Sequence, residues 1–308
     1  MARGRDDSAD AAGRLSSRAG ARVAPWALLS PGALWLILFF IVPIGSLARM
    51  SLSSKKSRFD FRADFTWQWS NFSNALREYG AHFVRSFAYA GLATLFALLI
   101  GFPLAYVIAF RGGRWKSVLL GMVALPFFTS FLLRTLAWKT LLADDGALIG
   151  AVKAVGLRGP LQAMSVMQDG RVLATPTAVI GGLTYNFLPF MILPIYVALE
   201  RIDHRLVDAA NDLYSNNVAA FRRIIVPLAL PGVFAGSLLT FIPASGDFVN
   251  DQFLGDPNRK MIGTVVQERF IRNLDYPTAA ALSFILMTLI TLAVLVYARV
   301  LGTEDLTG

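Results

Sequence analysis

The sequence contains no cysteine among its 308 residues, which excludes disulfides, thiolate metal sites and cysteine nucleophiles. It has only two histidines, which leaves little material for a histidine-built metal centre or catalytic triad. Charged residues make up 16% of the chain, whereas soluble domains contain about a quarter. Because so few polar side chains cannot cover a surface in water, a soluble enzyme and a disordered chain are both disfavoured. We therefore expect a membrane protein.

Six long stretches of the sequence contain no Asp, Glu, Lys or Arg. They are Val23–Ala48, Ser86–Phe110, Ser117–Leu133, Val172–Leu199, Ile224–Gly246 and Tyr276–Ala298. A spanning helix needs about 20 mostly apolar residues; five stretches reach that length, and the third continues its apolar pattern past Arg134 to Leu142. In hydrocarbon each segment must satisfy its own backbone hydrogen bonds. The sequence therefore predicts an all-α integral membrane protein with six transmembrane helices. The net charge of +9 could indicate a nucleic-acid-binding protein, but the six apolar stretches favour a membrane protein instead.

The stretches define one six-helix transmembrane domain, residues 25–300, between two tails. Residues 1–24 form a predicted disordered tail, because their polar, Ala- and Gly-rich sequence shows no apolar period. Residues 301–308 form a second tail. The first apolar stretch is too long for the core of a cleaved signal peptide, so we expect it to remain as the first helix.

The basic residues favour a topology with both tails in the cytoplasm. They are almost evenly divided between the two sides, but the short turn Arg111–Lys116 carries three basic residues and no acid, and the positive-inside rule weighs short loops most. The segment Arg49–Arg85 is then an external loop. It is rich in aromatic residues, among them Phe59, Phe61, Phe65, Trp67, Trp69 and Phe72. They predict either an interfacial belt with a small helix lying on the bilayer, or a docking surface for an external partner.

The loop at residues 200–223 has the pattern of an amphipathic helix on the cytoplasmic face. Its apolar residues recur near the spacing i, i+3, i+4 and i+7, with charged residues between them: Leu206, Ala209, Ala210 and Leu213. A surface helix with one apolar stripe either docks in a groove on another protein or rests on lipid headgroups.

The same loop resembles the EAA loop of binding-protein-dependent ABC importer permeases. The residues Asp208-Ala209-Ala210, then Tyr214, then Ile224 and Val226-Pro227 stand at the spacing E-A-A, three residues, G, nine residues, I-x-L-P. Asp208 replaces the family's Glu and keeps the carboxylate. Tyr214 replaces its Gly, and Ser215–Asn217 is the alternative place for the turn, since Asn tolerates the left-handed region.

The resemblance implies a coupling helix that sits in a cleft of a cytoplasmic ATPase. The residues expected to make this contact are Asp208, Ala209, Ala210, Leu213 and Tyr214. It also implies a type I ABC importer permease (MetI-like) fold with this coupling helix on its cytoplasmic side.

Further segments resemble the spermidine/putrescine-type permease subunit: Ser30–Ala33, Arg134–Trp138, Phe241–Phe248, Phe253–Gly255 and Met261–Gly263. This resemblance implies a bacterial inner-membrane subunit that forms half of a polyamine path. The implied partners are an ABC ATPase dimer, a second homologous permease, an extracytoplasmic substrate-binding protein and membrane lipid. Permeases for iron, sulfate, phosphonate or sugar remain alternatives. The chain carries no phosphate-binding glycine motif, so we expect a transport subunit without enzymatic activity, cofactor or metal.

Four residues are candidates for the translocation path or its gate. Arg134 lies in the third apolar segment, where an ionisable group needs a partner, and we expect a carboxylate or backbone carbonyls. Asp247 closes the fifth helix, at its expected meeting point with the outside, and is either a turn carboxylate or a cation-attracting group. Trp138 and Tyr185 are aromatic residues that could offer cation–π contacts to an organic cation.

Two other classes of protein are weaker alternatives. A secondary transporter usually has internal inverted repeats and more membrane-embedded carboxylates than this sequence has. A membrane-embedded enzyme needs a catalytic cluster at the interface, and the sequence contains none of the usual motifs for one.

The topology can be tested with reporter fusions. A reporter fused after Lys116 should behave as cytoplasmic, and one inserted near Asp64 should behave as external, because the basic turn holds its side of the chain inside. Activity of an alkaline phosphatase reporter compared with a fluorescent protein reporter distinguishes the two sides. The reverse pattern of activities would contradict the topology.

Overall fold

The protein is described by a computed structural model, which covers residues 28–54, 64–154, 171–203 and 221–300 and the single residues 162, 205 and 218. These residues are nearly all helical. The helices are α1 Leu28–Ser51, α2 Ser70–Arg111, α3 Gly113–Phe128, α4 Phe131–Leu142, α5 Ala147–Ala154, α6 Pro176–Glu200, α7 Phe221–Ser245, α8 Val249–Leu254, α9 Ile262–Gln267 and α10 Tyr276–Val300. A two-residue antiparallel pair joins β1, Ser53–Ser54, to β2, Asp64–Phe65.

The prediction of six spans is confirmed. Helices α1, α2, α6, α7 and α10 are each long and apolar enough to cross a membrane, and α3 with the segment Phe131–Val152 makes a sixth, broken span. Below, the end of the bundle where α2, α6 and α10 begin is called the outer end, following the predicted topology. Both predicted tails, 1–24 and 301–308, lie outside the described residues. The spans make up most of the residues that the structure describes.

Two boundaries differ from the sequence-based expectation. The segment Ser70–Arg85 was expected in an external loop with a small surface helix, but it is the first third of α2, a helix of 42 residues. Three apolar residues at helical spacing, Ala75, Tyr79 and Phe83, are buried against α9 and α10. The count of charge-free residues missed this extension because its charged residues, such as Arg77, lie on the exposed face of the same helix.

The third span was expected to be one continuous helix from Ser117 to Leu142, and that expectation is wrong. The chain bends by 93° between α3 and α4. Pro126 lies in a final 3-10 turn of α3, and Thr129 and Ser130 adopt extended backbone conformations before α4 begins. Pro126 removes one helical N–H and so weakens the last turn of α3, next to the extended residues at which the helix breaks.

The centre of the bundle is α6, which packs against α2 and α7 through small residues. On α2 these residues are fully buried and recur at helical spacing: Ala90, Ala93, Ala97, Gly101 and Ala105. A Cβ added to Gly101 would lie 3.1 Å from Met191 Cγ. On α7 a Cβ at Gly232 would lie 2.6 Å from the carbonyl oxygen of Pro194. Small residues let membrane helices approach closely, so that van der Waals packing holds them together.

A methyl group at Gly232 should separate α6 from α7. Gly232→Ala would meet backbone atoms of α6 that cannot move independently, and overpacking of this kind costs about 1–3 kcal/mol. We expect a lower thermal unfolding midpoint for the purified protein. Gly181→Ala, on α6, is the matched control, because a Cβ there meets nothing within 4 Å. Equal midpoints for the two variants would contradict the packing described here.

Candidate functional site

The predicted coupling residues Asp208, Ala209, Ala210, Leu213 and Tyr214 lie outside the described residues, and their role stays a prediction.

The two ends of that loop are described, and both pack on the inner end of the bundle. At the end of α6, Glu200 forms an ion pair with Lys116 at 2.7 Å, and Ile202 is buried. At the start of α7, the ring of Phe221 contacts Phe102 and Tyr106 edge-on, with centroids 5.8 and 5.6 Å apart. Displacement of the loop would therefore act on α2, α3, α6 and α7 together.

At the other end of α7 the chain turns back within the bundle. A Cβ at Gly246 would lie 3.8 Å from Leu286, ten residues after the start of α10, which is about 15 Å along that helix. Helix α7 therefore stops well short of the outer end, contrary to the expectation that Asp247 marks its meeting point with the outside. The following segment goes out through α8 and returns, so that a Cβ at Gly263 would lie 2.3 Å from the Gly246 carbonyl oxygen.

This returning segment, residues 246–263, has backbone groups that side chains satisfy. Asp247 Oδ1 accepts from the Asn250 N–H at 2.7 Å, so its carboxylate caps the N-terminal end of α8 from one residue before the N-cap position, Phe248. Asp251 Oδ2 accepts from the Met261 N–H at 2.8 Å and from the Thr264 hydroxyl at 2.5 Å. Non-helical backbone inside a membrane bundle persists only where such partners exist.

Helix α2 supplies further partners of the returning segment. Ser86 Oγ accepts from the Ile262 N–H at 2.7 Å. His82 Nδ1 lies 2.7 Å from the Lys260 carbonyl oxygen, and Arg85 Nη1 donates to the same oxygen at 2.8 Å. The outer part of α2 therefore acts as a wall on which this segment is fixed.

Two carboxyl groups of the returning segment, those of Asp247 and Asp251, are buried. Asp247 is 8% exposed and Asp251 is 4% exposed. The geometry gives Asp247 the turn role that the sequence analysis considered, while its contact with a substrate stays a prediction.

The structure brings the other three candidates together where α4 meets α6. The ring centroids of Trp138 and Tyr185 lie 5.4 Å apart in an edge-on contact. Arg134 Nη1 lies 3.5 Å from the carbonyl oxygen of Asn186 and the guanidinium lies 5.6 Å from the Phe131 ring. The partner of Arg134 is thus a backbone carbonyl, one of the two kinds of partner expected from the sequence. Roles of these residues in a path stay predictions.

Tyr185 also lines a cavity of about 320 Å³ between α2, α3 and α6. Its other lining residues are apolar and include Leu104, Met122 and Pro189. Pro189 has no N–H, so the carbonyl of Tyr185 loses its usual donor four residues later in α6. The break in hydrogen bonding therefore lies one residue from the carbonyl that Arg134 approaches.

The sequence analysis missed the polar residues that join α4, α6 and α8. Asn186 Nδ2 donates to Thr135 Oγ1 at 3.2 Å and to Asn250 Oδ1 at 3.0 Å, and all three residues are fully buried. A signal was present, because Asn186 is the single Asn in the 28-residue charge-free stretch Val172–Leu199. Buried polar groups in membrane helices mark functional or structural contacts.

Together these features define a class of protein: a polytopic helical bundle with a broken third span, an inner loop anchored to several helices and a returning segment near its outer half. Solved structures share this fold. A crystal structure of a bacterial ABC transporter that imports the acidic polysaccharide alginate contains a chain with a TM-score of 0.63 and 16% identity, covering 94% of this chain and 98% of that one. The alginate transporter in complex with a pentasaccharide-bound periplasmic protein gives a TM-score of 0.67 at 16% identity, covering 94% and 97%.

Residues 93–301 match the family described as the binding-protein-dependent transport system inner membrane component. The chain belongs to this family, and it has the all-α ABC importer permease (MetI-like) fold. It is 35% identical to the spermidine/putrescine transport system permease protein PotB of Haemophilus influenzae, over 86% of this chain and 90% of that one. PotB of Escherichia coli is 33% identical over 86% and 93%. The inner membrane ABC transporter permease protein YdcU of Escherichia coli is 34% identical over 72% of each chain.

Removing the Asp251 carboxylate should loosen the returning segment. Asp251→Ala leaves the buried Met261 N–H without its acceptor, and an unsatisfied buried group costs about 1–3 kcal/mol. We expect a lower thermal unfolding midpoint for the purified protein. Asp256→Ala is the control, since the half-buried Asp256 accepts locally, from the Asn258 N–H two residues further on. A midpoint for Asp251→Ala no lower than that for Asp256→Ala would contradict the bracing role.

Proposed function

We propose that this chain is the transmembrane permease subunit of an ATP-driven importer of polyamines such as spermidine and putrescine. The observation that carries the substrate class is the 33–35% identity to the PotB permeases over 86% of this chain. The similarity covers both the anchored inner end of the bundle and the returning segment. An importer permease for another small solute is the alternative.

We propose that the chain assembles with a second, homologous permease, a cytoplasmic ATPase dimer and an extracytoplasmic substrate-binding protein. A binding protein is part of the family's description and of the related alginate complex. The anchoring of the inner loop by Glu200 and Phe221 supports a role in passing ATPase closure to several helices. Helix α1 exposes its apolar residues from Leu28 to Val42, which suits contact with membrane lipid.

We propose that both chain termini lie in the cytoplasm. We also propose that Asp247 provides the negative charge that an organic cation meets along the path. Arg134 is turned toward a carbonyl oxygen of α6, which offsets part of the repulsion that a free guanidinium would exert on a cation. The contact between Trp138 and Tyr185 leaves aromatic surface near that point. Cation–π contacts of this kind are worth about 0.5–2 kcal/mol.

The experiment that tests this function is uptake by the reconstituted complex. Proteoliposomes that contain this chain with its partner permease, ATPase and binding protein should accumulate labelled spermidine or putrescine only when ATP is supplied to the ATPase side. A panel of iron, sulfate, phosphonate and sugar substrates serves as the comparison. Uptake of one of these substrates without uptake of a polyamine would contradict the proposed substrate class, while the assignment as an importer permease would stand.

Asp247→Asn should lower polyamine uptake without loss of assembly. Asparagine keeps an oxygen that can accept from the Asn250 N–H, so the variant removes the charge and leaves the cap of α8 in place. We expect a drop of about tenfold, the factor for about 1.4 kcal/mol of lost attraction. Asp256→Asn, in the exposed turn of the same segment, is the control. Unchanged uptake in Asp247→Asn would remove Asp247 from the path.

Asp208→Ala should weaken the complex with the ATPase or separate ATP hydrolysis from uptake, while membrane insertion stays normal. Removing one partner of a buried charged contact costs about 2–5 kcal/mol. ATPase co-purification and ATP hydrolysis per molecule of substrate are the measurements. Asp203→Ala is the matched control, because Asp203 is exposed and accepts locally, from the Arg205 N–H. Normal co-purification and normal coupling in Asp208→Ala would refute the contact.

A further inference from the structure

Three buried polar side chains from three different helices meet inside the bundle. Thr135 comes from α4, Asn186 from α6 and Asn250 from α8. Besides the two bonds that Asn186 Nδ2 donates, the Thr135 hydroxyl lies 3.3 Å from Asn250 Oδ1, so each member contacts both others. We call these residues the polar trio.

The polar trio fixes one side of α8, and different residues fix its other side. Asn250 points to α4 and α6, whereas its neighbour Asp251 holds the start of α9 through Met261 and Thr264. Gly182 of α6 permits the close approach, since a Cβ there would lie 2.8 Å from Asn250 Oδ1. If the trio separates, α8 and α4 can move from α6 while Asp251 keeps α8 attached to α9.

The trio makes fewer hydrogen bonds than its groups allow. Asn186 Oδ1 and Asn250 Nδ2 are buried and have no hydrogen-bond partner among the described protein atoms, and the same holds for Nε of the adjacent Arg134. An acceptor and donors are thus left over at one junction. A buried network that is only partly satisfied is less stable than a complete one. The hydrogen bonds of the polar trio therefore stabilise the closed arrangement of α4, α6 and α8, but weakly enough for the trio to separate.

The backbone next to α4 and α8 is broken in both cases, which allows these helices to move when the trio separates. The 93° bend between α3 and α4 frees the start of α4 from a continuous helix, and Thr135 is five residues beyond Ser130, the last extended residue of the bend. Helix α8 is separated from α7 by the turn at Gly246. Both helices that the trio holds against α6 therefore have a break next to them.

We propose that the polar trio is a latch that holds α4 and α8 closed against α6, and that its release opens the outer half of the bundle along α6. This inference rests on the proposed function, because an importer must alternate between closed and open arrangements. Thr135, Asn186 and Asn250 act as positioning residues in this role. The contacts that opening breaks are the two that Asn186 Nδ2 of α6 donates, one to Thr135 of α4 and one to Asn250 of α8.

The absence of cysteine in the natural sequence provides a direct readout. A single cysteine at Val179, a buried residue of α6 that faces Gly255 just after α8, reports opening through its labelling by a membrane-impermeant maleimide. A cysteine at Ala97, buried in a different cluster between α2 and α6, reports general loosening. Both single-cysteine chains are labelled within the assembled complex, without substrate and without ATP.

The latch is then weakened with Thr135→Val, which keeps the shape of the side chain and removes its hydroxyl. We expect labelling at V179C to become about fivefold faster, the factor given by loss of one net hydrogen bond, while labelling at A97C stays unchanged. Thr135→Ser keeps the hydroxyl and should label at the original rate. If the Thr135→Val chain does not assemble, Asn250→Ala is the second variant. It removes the acceptor of the Asn186 Nδ2 bond and should also make labelling at V179C faster.

Three results would overturn the latch: no faster labelling at V179C in either variant, an equal increase at A97C, or failure of Thr135→Ser to retain slow labelling. The assay needs no transported substrate, so it is independent of the proposed polyamine specificity. Loss of polyamine uptake with intact latch behaviour would contradict the substrate class alone, whereas unchanged labelling with normal uptake would contradict the latch alone.

Discussion

The need to satisfy backbone hydrogen bonds away from water governs the outer half of this bundle. Helix α7 ends early, and the chain returns through residues 246–263 before α10 begins, which frees several N–H and C=O groups inside the protein. Side chains on α2 and within the segment itself satisfy them, with Ser86 on Ile262 and Asp251 on Met261 as the buried examples. The long outer extension of α2 and the buried carboxylates of Asp247 and Asp251 both serve this requirement.

The number of spans could be predicted from the sequence because hydrocarbon excludes charged residues over a length that only a helix can cover. The ends of α2 and the bend after α3 could not. The charge-free stretch begins only after Arg85, but the helix starts at Ser70: Arg77 lies on its exposed face and Arg85 donates to the Lys260 carbonyl, which a linear count does not register. Pro126 is equally compatible with a kink, a break or ordinary packing, and only the neighbouring helices decide which one occurs.

The candidate site was predicted in part. Arg134, Trp138 and Tyr185 do meet at one contact between α4 and α6, since Arg134 and Trp138 are one helical turn apart. The amides Asn186 and Asn250 are 64 residues apart in the chain, and no local pattern indicates that they touch. Asp251 follows Asp247 by only four residues in the chain, and the structure buries it against the start of α9, where it accepts from the Met261 N–H. A charged residue in an apolar sequence indicates that its side chain needs a hydrogen-bond or ion-pair partner. Which backbone group becomes that partner depends on the path of the returning segment, which the sequence does not show.

Amide-resolved hydrogen exchange of the assembled complex in nanodiscs is the most direct measurement of this account. The Met261 and Ile262 amides should exchange as slowly as amides in the middle of α6, such as that of Leu183. Ser86→Ala should accelerate Ile262 and leave Leu183 unchanged, because only the acceptor of the Ile262 N–H is removed. Exchange of Met261 and Ile262 as fast as that of Asn258, in the exposed turn, would contradict the claim that side chains satisfy the returning backbone.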